Sequence, residues 1–193
     1  SLNTPTHLLV AAAALAKPDA ARRNAVALAM AIVPDLSIFV MYFLKRVIEG
    51  RPPMEIWRVI YWQEPWQTIS AISNSIPLWA GVAMAGLAFR STLLTVAGLA
   101  ALLHVALDFP VHASDAHVHF WPLTDWRFHS PLSYWDTRHY GQWVSLAEFI
   151  FGAVLVVVLL RRFRSPGVRV VLGLALATYV LVPVYFMWSI GSA

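Results

Sequence analysis

Cysteine is absent from this chain of 193 residues. Disulfides, thiolate nucleophiles and cysteine-held zinc are excluded together, so any metal here must be held by imidazole and carboxylate. Charge is scarce as well: 12% of the residues are Asp, Glu, Lys or Arg, about half the share usual in soluble domains. Internal repeats and low-complexity linkers are missing, and the chain reads as a single domain over 1–193. What fills the sequence is apolar: 59% of residues are hydrophobic and the mean hydropathy is +0.64. Several runs reach or approach the roughly 20 residues a helix needs to cross the hydrocarbon layer. The expected fold is all-α, a polytopic membrane bundle of about five transmembrane helices, with a short N-terminal helix and an outer aromatic cap. The first apolar run, Leu8 to Ala16, follows no basic region, and no cleavable leader is expected.

The net charge of +4 and the pI near 9.8 do not imply nucleic acid, because the basic residues sit at the ends of apolar runs rather than in a patch with aromatics. Thr4-Pro5 reads as an N-cap with proline in the first turn, opening a helix to about Ala16 that Lys17-Pro18-Asp19 ends. A long helix is expected from Arg23 to Ile48, interrupted by Pro34-Asp35. Residues 49–68 are rich in tryptophan (Trp57, Trp62, Trp66) and suit a membrane interface. Further helices are expected over 69–89 and from Thr92 to Phe109. A polar, aromatic loop occupies 110–142, and two more spans fall near 143–160 and 168–190. The connection at 161–169 carries four arginines, which places it in the cytoplasm. Residues 49–68 and 110–142 then lie outside, and all seven histidines fall at or beyond the outer half. The chain is expected in a bacterial inner membrane, multi-pass, with its chemistry facing the periplasm.

The stretch from Leu103 to His119 carries most of that chemistry. His104 and Asp108 are four residues apart and stack on one helix face. Pro110 argues against a continuing helix, so His112, Asp115, His117 and His119 fold back from the loop or extend the same face. A carboxylate inside a membrane helix costs about 2.5–3.5 kcal/mol on insertion scales and normally has a partner. A divalent cation on imidazole and carboxylate supplies one, zinc among the candidates; the other reading is a His–Asp hydrogen bond that stabilises the bundle. Asp35 follows Pro34 within an apolar run, either as a ligand or as the cap of a second helix. His7 stands in the first turn of the first helix. Asn74 is a candidate ligand-orienting or oxyanion-binding group, and Glu148 a candidate base or an interfacial acid. Arg127 and Arg138 in the loop suit an anionic headgroup or a structural role.

Thr6-His7-Leu8-Leu9, Ile32-Val33-Pro34-Asp35-Leu36, Leu103-His104-Val105-Ala106-Leu107-Asp108 and Trp121-Pro122-Leu123-Thr124-Asp125-Trp126-Arg127-Phe128 follow one another in that order. The pattern resembles the bacterial inner-membrane metal-dependent hydrolase family of the LexA-regulated type, over roughly residues 4–130. The resemblance implies metal ligands at His7, Asp35, His104 and Asp108. The His-x-x-x-Asp element with further histidines also looks like zinc-dependent phospholipase C, which implies phosphoester cleavage. Two positions depart from the family pattern: Leu36-Ser37 stands where a second acid often follows Pro-Asp, and Asn74-Ser75 where a His-Ser pair is usual.

The expected function is therefore hydrolysis of a lipid or amphiphilic ester or phosphoester at the outer leaflet, with one or two divalent ions, zinc by preference. His7, Asp35, His104 and Asp108 would ligate; His112, Asp115 and His119 would complete the site or hold a second ion; Asp115 or Glu148 would take the proton. The expected partners are membrane lipids and the substrate. The alternative is a non-enzymatic metal-binding membrane protein or a divalent-metal carrier. The Ala-, Leu-, Val- and Gly-rich inner halves of the helices offer a carrier no polar path.

Overall fold

The computed structural model describes residues 3–191, with side chains described through Ala177 and at Tyr179. It is all-helical, with no strand among the described residues. In chain order the helices are α1 (Thr4–Leu15), α2 (Ala21–Met30), α3 (Val33–Tyr42), α4 (Pro53–Arg58), α5 (Trp66–Ser73), α6 (Ile76–Ala88), α7 (Thr92–Asp108), α8 (Gly141–Arg162) and α9 (Pro166–Gly191). Two stretches are by themselves long and apolar enough to cross a membrane, Thr92–Val111 and Gly141–Arg162. The number rises to four if each of two bent pairs is one span. Side chains such as Leu36, Phe39 and Val40 on α3 and Val154 on α8 are exposed, an outward apolar surface that suits lipid better than water. The fifth expected span, 168–190, lies largely outside the residues whose side chains are described.

Two of the expected helical runs are broken, the first near the interruption expected at Pro34-Asp35 and the second within a run expected to be continuous. The run from Arg23 to Ile48 divides at Ala31–Ile32 into α2 and α3, which meet at 55°. Pro34 has no N–H to give to the preceding turn, and it sits at the start of α3, where that donor is not required. The run over 69–89 divides at Asn74–Ser75 into α5 and α6, bent by 42°. The Asn74 amide satisfies the Ser70 carbonyl (3.0 Å), and Ser75 caps α6 by accepting from the Leu78 N–H (3.1 Å). At the N-terminus Asn3, not Thr4, precedes the first helical residue.

Small residues let the elements approach closely. At Gly98 a Cβ would stand 2.4 Å from the backbone nitrogen of Ala83, and at Gly86 2.3 Å from that of Thr95, so α6 and α7 touch backbone to backbone. Leu15, Ala27, Val96 and Ala100 join α1, α2 and α7, while Leu9, Val156, Leu159 and Leu172 join α1, α8 and α9. Both ends of α1 are held by α8. At its start, Glu148 accepts from the Asn3 N–H (2.7 Å), the Asn3 amide (3.0 Å) and the Thr6 hydroxyl (2.5 Å). At its end, Arg162 donates to the carbonyls of Ala13 (2.6 Å) and Ala16 (3.3 Å). An acid at a helix start and a base at its end each favour the helix dipole.

Candidate metal centre

Three helices, one of them following a break, bring the polar groups together. His7 is buried in the first turn of α1, beside the Thr6 that Glu148 holds. Asp35 is buried in the first turn of α3, presented by the break after α2. His104 and Asp108 occupy one face of α7, one turn apart. The break also frees the Ala31 carbonyl, which accepts a hydrogen bond from His104 Nδ1 at 2.7 Å. That bond fixes the tautomer and turns Nε2 toward the carboxylates, as an outer partner does for a metal-bound imidazole.

The rings of His7 and His104 lie stacked, with centroids 3.6 Å apart and planes 12° from parallel. His7 Nε2 is 3.1 Å from one oxygen of Asp108, and His104 Nε2 is 3.1 Å from the other. His104 Nε2 is also 3.6 Å from Asp35. His7, Asp35 and His104 each bring one ligand atom within 4.8 Å of the others, a spacing able to hold a metal ion. Neither Nε2 atom makes a hydrogen bond of acceptable geometry. Four ionisable side chains thus share one nearly solvent-free space, each expensive to bury without compensation.

Beyond Asp108 the chain does not continue as α-helix. Phe109-Pro110-Val111 forms a single tighter turn, and the following segment folds back over the site. His112 Nε2 returns to 3.8 Å from Asp108, while its Nδ1 lies 3.0 Å from Asp115. His119 donates from Nδ1 to the Asn74 carbonyl (3.2 Å), and its own carbonyl accepts from the Ile76 N–H (2.8 Å). The α5–α6 break therefore clasps His119 through the backbone on both sides, with Asn74 orienting the imidazole. His117, placed in the histidine cluster by sequence but not in the ligand set, is buried with Nδ1 3.2 Å from Ser70 Oγ and 3.4 Å from the Tyr61 hydroxyl. No motif announced Tyr61 or Ser70; the first comes from the segment that reads as interfacial, the second from the start of the helix expected over 69–89.

Electrostatics outside the spans follow this geometry. Burial lowers His117 well below the ordinary imidazole value and, less strongly, lowers His119. Burial acts the same way on His112, but contacts with Asp108 and Asp115 outweigh it and raise that group. Asp115, which burial alone would raise, is brought down to about 2 by His112. Burial raises the phenols of Tyr61 and Tyr134.

A cavity of about 860 Å³ opens onto the cluster, with Asp35, His112, Asp115 and His117 among its lining residues. Asp115 also accepts from the Trp135 indole at 3.2 Å. Glu148 does not line it; its oxygens are engaged by Asn3 and Thr6, and Thr6 in turn hydrogen-bonds Tyr179. Arg127 donates to the Ala116 carbonyl (2.6 Å) and Gln67 (2.9 Å), and Arg138 pairs with Asp136 (2.8 Å), so both loop arginines hold the cap together.

Comparison with known proteins gives no match to a family model, to a curated protein or to a solved structure.

Proposed function

We propose that this chain is a membrane-embedded, metal-dependent hydrolase acting on a lipid or amphiphilic ester or phosphoester. The observation that carries the reading is the stacked His7–His104 pair, both Nε2 atoms aimed at carboxylates in a buried space. Charging both rings would set two cations face to face; one divalent ion shared by His7, His104, Asp35 and Asp108 avoids that repulsion and compensates the acids. The imidazole–carboxylate donor set suits zinc. A second ion would draw on His112, Asp115 and His119. When bound, such an ion supplies an electrophile toward a scissile carbonyl or phosphoryl group and acidifies water.

The protein's own residues supply the remainder. Asp115 stands on the cavity wall, in reach of solvent and held by His112 and Trp135, and is the carboxylate positioned to accept a proton from water. Glu148 is occupied in fixing α1. Asn74 sets the orientation of His119. The order of the His7, Pro34-Asp35, His104/Asp108 and Trp121–Phe128 motifs supports membership of the LexA-regulated type of inner-membrane hydrolase. We place five spans in the membrane, α9 completing the set, with the histidine-rich end in the periplasm.

Metal analysis of purified protein tests the reading. Wild type is expected to carry about one zinc per chain or more; His104→Ala and Asp108→Ala lose most of it, and only wild type hydrolyses ester or phosphodiester lipids. Equal metal content in all three, or none in any, overturns it.

A further inference from the structure

The cavity has two unlike parts. Toward the histidine cluster it is polar and acidic. Toward the outside it passes between Ile38 and Phe39 of α3 and Met54 and Trp57 of α4, with Trp62 beside them. Phe39, Met54, Trp57 and Trp62 are all exposed, and the chain continues past this opening with exposed Val40 on α3 and exposed Phe43 and Val47 on the π-helical segment Phe43–Ile48 that follows it. The apolar lip of the cavity is therefore continuous with the face of α3 that suits lipid, and it carries two tryptophans, Trp57 and Trp62, a residue type favoured at membrane interfaces.

One lining residue fits neither part. Arg58 ends α4 at the rim, the one lysine or arginine among the described lining residues. Its guanidinium makes no hydrogen bond or ion pair with a described residue, unlike those of Arg127 and Arg138. The lining carboxylates lie deeper, Asp115 against His112 and Asp35 near His104, so the charge presented at the rim itself is the positive one of Arg58. An apolar doorway with a single uncommitted guanidinium at its edge matches a molecule with an acyl chain and an anion, and a guanidinium is well suited to phosphate.

We infer that the cavity admits an anionic phospholipid laterally, its acyl chain lying along Ile38, Phe39 and Trp57 and its phosphate held by Arg58. This rests on the reading of the histidine cluster as the reacting centre. It adds a headgroup preference and a residue that sets it. A choline headgroup on the tryptophans, or a soluble anion, are the other occupants such a cavity admits.

Binding distinguishes them, independently of turnover. Full-length protein in neutral detergent is titrated with dioctanoyl phosphatidylglycerol, dioctanoyl phosphatidylcholine and glycerol phosphate, following tryptophan fluorescence, with and without chelator treatment. The glycerol lipid is expected to bind about tenfold more tightly than the choline lipid, a ratio typical of one charge-assisted contact, and glycerol phosphate far more weakly than either. Arg58→Gln should remove the preference and Arg58→Lys keep part of it; Arg58 is exposed, so neither change disturbs the core. Equal binding of the two lipids, tighter binding of the choline lipid, glycerol phosphate binding as well as the lipid, or an unaltered preference in Arg58→Gln would each overturn the inference. Because chelated protein retains the lipid cavity, a failed metal assignment leaves this result readable, and a failed lipid preference leaves the metal result intact.

Discussion

His104 acts through both of its nitrogens: one is anchored on a carbonyl that only a broken helix exposes, and the other faces two carboxylates. Glu148 makes the opposite use of a buried polar group. Three donors converge on its two oxygens, so the carboxylate is consumed by structure. Glu148→Gln replaces one acceptor oxygen with an NH₂ that must face donors, at a cost of about 1–3 kcal/mol. Thermal melting in detergent should fall accordingly, while metal content stays at the wild-type level; loss of metal without loss of stability would place Glu148 at the centre instead. The polar residues legible in the sequence were those whose burial is costly: Asp35 and the His104/Asp108 pair stand out from apolar runs. Tyr61 and Ser70 were not legible as partners of His117, because a tyrosine in an interfacial segment and a serine at a helix start are ordinary and only tertiary folding brings them under the loop.

At the scale of elements, the helical runs were readable from apolarity and the interruption at Pro34-Asp35 from its proline, but the break at Asn74–Ser75 was not. Pro34 marks the first bend and the Ser75-Ile76-Pro77 cap the second, but neither fixes the angle at which the two halves meet. Those bends are what the site uses, one to present Asp35 and free the Ala31 carbonyl, the other to clasp His119. The α6–α7 hairpin shows how little room the packing leaves. Gly98→Ala puts a methyl group against the Ala83 backbone and must push the helices apart, costing about 1–3 kcal/mol. Denaturation in detergent should reveal that loss, whereas Gly173→Ala, where a Cβ meets nothing within 4 Å, should be nearly neutral.

For the molecule as a whole, the polar chemistry sits at one end, and the Arg161–Arg164 turn belongs to the other. The lack of native cysteine makes this placement directly measurable. Leu123→Cys and Ser165→Cys each introduce one exposed thiol at opposite ends. In intact spheroplasts an impermeant maleimide should label the first and reach the second only after permeabilisation; the reverse pattern would put the site in the cytoplasm. The α1 helix, with its 12 residues, is about 18 Å long, too short to find its own depth in a hydrocarbon layer of about 30 Å. Its two ends are berthed on Glu148 and Arg162 of a helix that can cross. In a bilayer of changing thickness, an α8 that tilts to follow would carry α1 with it as cargo, and His7 would keep its station beside the Glu148 clasp.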